Sequence, residues 1–400
     1  MQDQRSPFQR LADILDGITP SNEATHAPIN LTIGEPQHAF PAFIPEVIAD
    51  HVDAFRRYPA IQGTDDFRAS VCDWLKARYG LDEAGFSEKN VLPLNGSREG
   101  LFHAIVGARD WARDHFGKTL DKPAILLPNP FFHTYIAAAR AIDAEPVFLN
   151  GSPDSNYLPD LDALALDTEL LDRTIAFFYA SPANPQGSVA GKEVWQKLIA
   201  LSRKHNFLVL ADECYSEIYR DTPPAGVLEA AEGDYSNIVT FNSLSKRSNL
   251  AGLRCGFAAG DGAFLTQWTK YRNMAAPQVP MPLQAAAAAA FRDEAHVEEN
   301  RRLYNAKFDA VRRILGNDLT YEIPPAGFFL WLDVSAFGDD ASITEKLWRE
   351  VGLRVVPGSF LARSDASGVN PGDGFLRIAI VADLDQTEDA MHRLRHCLLG

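Results

Sequence analysis

Short apolar runs alternate with longer stretches of helical spacing through the middle of the chain. AILL (124–127), PVFL (146–149), IAFFYA (175–180), FLVLAD (207–212), IVTF (238–241) and CGFAAG (255–260) are apolar at successive positions. That is the pattern of strands covered on both faces. Helical patterns at 98–116, 133–142 and 191–205 separate them, so the predicted fold class is α/β, a mostly parallel sheet between layers of helices. From about residue 285 the pattern changes. Six alanines at 285–290 open a long helical pattern that runs toward 315, and FFLWLDV (328–334), LRVV (353–356) and FLRIAIV (375–381) flank a helix near 342–351. This reads as a smaller α+β domain joined by the N-terminal segment. The expected division is 45–285 for the large domain, and 1–44 with 286–400 for the small one. The first seventeen residues, MQDQRSPFQRLADILDG, read as an amphipathic helix.

A chain of 400 residues, 46% hydrophobic, exceeds one ordinary core and can fill two. Thirty-eight basic against 53 acidic side chains give a net charge of −15, which argues against nucleic acid or an anionic membrane as partner. An anionic substrate must then be captured by individual arginines. Four cysteines, Cys72, Cys214, Cys255 and Cys397, lack CxxC spacing and fit reduced thiols better than a disulfide framework. No apolar run reaches membrane length and the N-terminus has no apolar leader, so a soluble cytoplasmic protein is expected. HExxH, GxSxG and GxGxxG are all missing. Gly117-Lys118-Thr119 lacks the upstream glycine of a P-loop, Ala112 standing there, and His392 with His396 reads as a face of a solvated terminal helix.

Lys246 is the most informative residue. It follows the apolar run 238–241 in a Ser/Asn loop, so its amine points toward a cleft. Schiff-base chemistry needs such an amine, withdrawn from water and near other cations. Ser243, Ser245 and Arg254 offer what a phosphate beside it requires. Gly96-Ser97 precedes a helix, whose free amides form an anion site that includes the amide of Arg98; Ser97 by itself also suits an N-cap. Asp212 ends an apolar strand, where open sheets bind ligands and where a carboxylate needs a cationic partner. Arg377 stands inside an apolar strand and calls for an anion. Gly34 marks a turn before Pro36, and Asn184 suits a turn as readily as a ligand. From their surroundings alone Tyr58 reads as a half-buried aromatic and Tyr215 as a packed one.

The wording of these stretches adds more. SLSKRSNLAGLRCG (243–256), SPANPQG (181–187), DECY (212–215), NGSREG (95–100), PFF (130–132) and YPAIQGTDDFR (58–68) fall in the order and spacing of the class I aminotransferases, which the chain resembles over roughly residues 30–385. The resemblance implies a fold-type I enzyme using pyridoxal 5'-phosphate. Lys246 would carry the cofactor and move the proton, and Asp212 would pair with the ring nitrogen. Asn184 and Tyr215 would hold the ring oxygen, while Phe132, replacing the commoner Tyr or Trp, would stack on the ring. Ser97, Arg98, Ser243, Ser245 and Arg254 would bind phosphate, joined by Tyr58 from a neighbouring subunit, which implies a homodimer with shared sites. Gly34, Asn184 and Arg377 would meet the substrate carboxylate. Amino-acid donor and 2-oxo acid acceptor, usually 2-oxoglutarate, are the implied partners, with no metal.

Within the family, IGEP, NGSREGLF, DECYSEIY and NPGDGFLRIAIVAD resemble bacterial transaminases acting on N-succinyl-LL-2,6-diaminopimelate. A distal carboxylate on such a substrate needs a further cation, with Arg98, Arg247, Arg272 and Arg363 as candidates. A general aspartate, alanine or acetylornithine-type aminotransferase, a C–S lyase, and a non-catalytic effector-binding module are the alternatives.

Overall fold

A computed structural model describes residues 5–21, 26–82, 85–365 and 367–400. Seven strands build the large sheet: β1 (Val91–Leu94), β2 (Ala124–Asn129), β3 (Glu145–Asn150), β4 (Thr174–Ala180), β5 (Leu208–Asp212), β6 (Ile238–Ser243) and β7 (Gly256–Gly260). Their order is β1-β7-β6-β5-β4-β2-β3. Every pairing is parallel except those of β7, which runs antiparallel to β1 and β6. Alternation along β5 shows why the pattern looked doubly apolar: Leu208 and Leu210 enter one core, Val209 and Ala211 the other. Strand β1 escaped the sequence reading because Pro93 interrupts it. A proline cannot donate to a ladder, and β1 tolerates one because it lies at the sheet edge.

Helix α1 (Ser97–Asp114) covers one face through Ala104, Ile105 and Ala108, and α2 (Thr134–Ala141) lies beside it. The alanine run belongs to α3 (Met281–Arg292), whose Ala286, Ala287, Ala290 and Phe291 enter the opposite core. A boundary at 285 therefore cuts a helix whose buried face joins the core of the large domain. The single helix expected to run on toward 315 is also two. After Arg292 the Asp293 carboxylate accepts the amide of His296 at 3.1 Å, a local turn that competes with helical bonding, and α4 (Ala295–Leu315) starts afresh.

In the small domain β8 (Thr320–Tyr321), β9 (Phe329–Asp333), β10 (Val356–Pro357) and β11 (Phe375–Ala379) form an antiparallel sheet ordered β10-β11-β9-β8. LRVV divides between two sheets: Leu353–Arg354 pairs in parallel with Ile29–Asn30, and Val356 opens β10. Helices α5 (Asp340–Val351) and α6 (Leu384–Leu399) close this core through Leu347 and Leu394. The N-terminal helix spans Pro7–Leu15 behind a Ser6 capping box, and its Leu11 and Leu15 pack on Trp331 and Phe360; residues 1–4 of the expected helix lie outside the described residues. Tyr215, Tyr304, Phe328, Phe329 and Ala379 form the cluster where the two domains meet. All four cysteines are buried, and none forms a disulfide among the described residues. Among the described residues no helix is long and apolar enough to cross a membrane.

Candidate active site

The loops leaving the C-terminal ends of β2, β4, β5 and β6 converge on one cavity of about 480 Å³. Twelve of the thirteen residues singled out by sequence line it. The thirteenth, Tyr58, stands 97% exposed on the outside.

Strand β6 ends at Ser243, whose hydroxyl accepts the Ser245 amide at 3.2 Å and so caps the single turn Leu244–Arg247. That turn aims Lys246 into the cavity, where its Nζ donates to the Gly34 carbonyl and lies 5.3 Å from the Phe328 ring centre. Burial lowers the amine to about 8; Cys214 and Glu35 oppose the shift, while Arg98 and Arg377 add to it. Gly34 has no room for a side chain, since a Cβ would stand 2.5 Å from Phe329 Cζ and 2.9 Å from Phe328 Cε2.

At the opposite end α1 begins. Gly96, with φ +86°, takes the cap, and Ser97 is the first helical residue instead of the cap itself. Arg254 lies across Gly96, where any Cβ would strike its guanidinium, and is held by the carbonyls of Ala251 at 2.9 Å and Asn95 at 3.2 Å. Ser97 Oγ accepts the Cys214 thiol at 3.0 Å, which leaves its own hydroxyl hydrogen for an anion. With the free amides of α1, this is an arrangement suited to an anion.

Between the two ends, Asp212 closes β5 with its carboxylate buried. The Tyr135 hydroxyl donates to Oδ2 at 2.7 Å and the Cys214 amide to Oδ1 at 3.3 Å. Burial raises its pKa against these bonds, so an ionised Asp212 calls for a cation. Tyr135 was missed in the sequence. It stands three residues past Phe132, one helical turn on, and that spacing was the available signal. Phe132 meets Tyr135 edge to face at 5.7 Å and has the Arg98 guanidinium 5.4 Å from its centre. Tyr215 is buried edge-on against Phe328 and Phe329, and burial pushes its hydroxyl well above the ordinary phenol range.

Arg377 leaves β11 toward Asn184, donating to its Oδ1 at 3.1 Å and to the Thr32 carbonyl at 2.6 Å. Phe329 lies 4.5 Å beneath it, and its Nε is sealed from solvent without a partner. Burial lowers even this guanidinium to about 10, and among the described residues it forms no ion pair. A carboxylate ligand would supply the missing charge. His133, also lining the cavity, is lowered to about 4 by burial, with Arg98 and Arg377 adding to the shift, so it is neutral at neutral pH.

Two of the four arginines considered for a distal carboxylate are already committed. Arg247, 1% exposed, pairs with Glu294 and donates to the Ala290 carbonyl at 2.7 Å. Arg272, fully buried, grips Glu99 at 2.6 and 3.2 Å. Arg363 caps the β2 end through its main chain, its amide donating to Asn129 Oδ1 at 3.0 Å, and does not line the cavity. Arg98 alone of the four does.

An amine lowered toward neutrality, a buried carboxylate wanting a cation, an anion cradle and a stacking ring around one cavity are the donor set that pyridoxal phosphate requires, and the residues fit it. Fold and site together define a fold-type I, pyridoxal-phosphate-dependent aminotransferase. Residues 27–394 match the family described as Aminotransferase class I and II, and the chain belongs to that family. It is 30% identical to an LL-diaminopimelate aminotransferase of Nitratidesulfovibrio vulgaris over 376 residues, covering 92% of this chain and 90% of that protein. It is equally 30% identical to a 4-dedimethylamino-4-oxo-anhydrotetracycline transaminase of Streptomyces rimosus, covering 92% of each. Among solved structures, an aminotransferase from Neisseria meningitidis superposes with a TM-score of 0.90 at 36% identity, covering 99% of this chain and 98% of that one.

Proposed function

We propose that the protein moves an amino group between N-succinyl-LL-2,6-diaminopimelate and 2-oxoglutarate. The observation that carries this reading is that, besides Lys246 and Arg254, two further cations line the cavity, Arg377 at its buried wall and the exposed Arg98, which suits a substrate with a carboxylate at each end. The diaminopimelate skeleton is supported by the relatives named for it and by the motif wording.

Bound pyridoxal phosphate supplies an electron sink for the carbon that carries the amine. The chain does the rest. Asp212, whose ionised form the Tyr135 hydroxyl favours against burial, would pair with the ring nitrogen and keep it protonated, and Asn184 and Tyr215 would hold the ring oxygen. Ser97, the Arg98 amide, Ser243, Ser245 and Arg254 would grip the phosphate, and Phe132 would flank the ring. Arg377 orients the substrate carboxylate, and Lys246 Nζ, poised near neutral, removes and returns the proton. Tyr58, outside its own cavity, would reach the phosphate of a second copy, which makes the working unit a homodimer. Buried thiols agree with a reducing, cytoplasmic setting.

The test is the visible spectrum of the holoenzyme on addition of single amino donors. Succinyldiaminopimelate should bleach the yellow band fastest, and far faster turnover of aspartate or alanine overturns the substrate. The second reading, unacylated LL-diaminopimelate, is favoured by the exposed Glu35 carboxylate on the cavity wall, a partner for a free distal ammonium; faster bleaching by that compound would select it. Pyruvate release without an oxo-acid acceptor would identify a lyase.

A further inference from the structure

The segment from Leu31 to Ala39 lines the cavity through Ile33, Gly34 and Glu35, and its hydrogen bonds fall into two groups. In the middle, the Thr32 carbonyl accepts from Arg377 and the Gly34 carbonyl from Lys246 Nζ. Both donors are groups the reaction needs, one for the substrate carboxylate and one for the cofactor and the proton. The ends are tied elsewhere. Leu31 exchanges bonds of 2.8 Å with Arg354 and Ala379, and the Ala39 carbonyl accepts from Asn249 at 3.1 Å. His38 Nδ1 lies 2.7 Å from Asn300 Oδ1, and Asn300 Nδ2 donates to the carbonyl of Lys246 itself at 3.2 Å.

We propose that His38 is a positioning residue: acting through Asn300, it fixes the peptide of Lys246 relative to the segment that carries Gly34 while Arg377 and the lysine amine turn to their ligands. The chemistry of the contact is unambiguous. Asn300 uses its amide hydrogens on the carbonyls of Lys246 and, at 3.5 Å, Arg247, so Oδ1 is the atom left for His38. An amide oxygen only accepts, so the imidazole carries its proton on Nδ1. Its Nε2 is buried without a partner and the ring packs on Tyr304 at 4.6 Å, so burial disfavours a second proton there, with Lys307 adding to the effect and Glu299 opposing it. The residue is built to stay neutral and to donate one bond. Asn300 is 3% exposed, so water does not replace that bond readily.

This inference rests on the aminotransferase reaction and not on the substrate proposed above. Its test compares holoenzymes carrying His38→Phe, which keeps the ring packing and loses the donor, His38→Gln, which restores an N–H, and Asn300→Ala. His38→Phe and Asn300→Ala should each lower kcat/KM for the amino donor about tenfold or more. Each should also move the pH midpoint of the visible band of the lysine-bound cofactor by about half a unit or more. His38→Gln should recover most of both, and the double variant His38→Phe/Asn300→Ala should fall no lower than Asn300→Ala alone. A His38→Phe enzyme with wild-type kcat/KM and an unmoved midpoint overturns the proposal, as does an additive double variant. Asn300→Ser, measured in the same way, decides the matter if His38→Phe does not fold.

Discussion

The Tyr135 hydroxyl and the Asp212 carboxylate share a 2.7 Å hydrogen bond at the buried end of β5. The bond favours the ionised form of a carboxylate whose pKa burial raises. A hydrogen bond to a charged group contributes about 1.5–3 kcal/mol, so Tyr135→Phe should lower kcat about tenfold or more and weaken cofactor retention. Asp212→Asn removes the charge itself and should cost about a hundredfold to a thousandfold. Steady-state rates and cofactor titration on both variants check the order of the two effects.

A lysine lowered to about 8 is neutral in about one molecule in ten at pH 7, against fewer than about one in a thousand for an exposed lysine. The neutral amine is the form that captures an aldehyde. Capture of pyridoxal phosphate by the apoprotein should therefore quicken about tenfold per pH unit below 8 and level off above it. Arg377→Gln removes a nearby positive charge, which stabilises the protonated amine and should move the plateau to higher pH. Stopped-flow absorbance across pH 6–10 reads both; a rise that continues to the ordinary lysine range would contradict the site geometry.

Gly34→Ala places a methyl 2.5 Å from Phe329 Cζ. Overpacking of this kind costs about 1–3 kcal/mol. The rings that must move also flank Tyr215 and underlie Arg377, so kcat/KM should fall about tenfold or more while the cofactor stays bound. Retention of the visible band with loss of rate is the outcome to look for.

Subunit mixing tests the role of Tyr58. In the proposed homodimer, Lys246→Ala and Tyr58→Ala chains are each defective in different halves of a shared site. Refolded together at equal amounts, they should regain about a quarter of wild-type activity, because half the dimers then hold one complete site. Activity no higher than the sum of the two homodimers places Tyr58 outside the site.

Much of this was legible in the chain. Six of the seven strands of the large sheet announced themselves, five because both faces are buried and β3, a half-buried edge strand, by its apolar run, and the motifs carrying Ser97, Asn184, Asp212, Lys246 and Arg254 are local strings whose order survives in sequence. Strand β1 did not, since Pro93 looks like a breaker until its place at the edge is known. The break between α3 and α4 was hidden because both sides carry good helix formers and only the Asp293 to His296 bond interrupts them. Arg247 and Arg272 looked like free cations because their partners, Glu294 and Glu99, lie 47 and 173 positions away.

The sequence by itself determined the layered α/β architecture and the identity of the chemical groups, because each of these depends on neighbours within a few residues. Only the tertiary structure decided which groups meet. It brought Gly34 to Lys246, Tyr135 to Asp212, Arg377 to Asn184 and His38 to Asn300, and it withdrew two arginines into the interior. The physical reason is that burial and pairing set what a charged or polar side chain can do, and both are properties of the packed chain instead of its order.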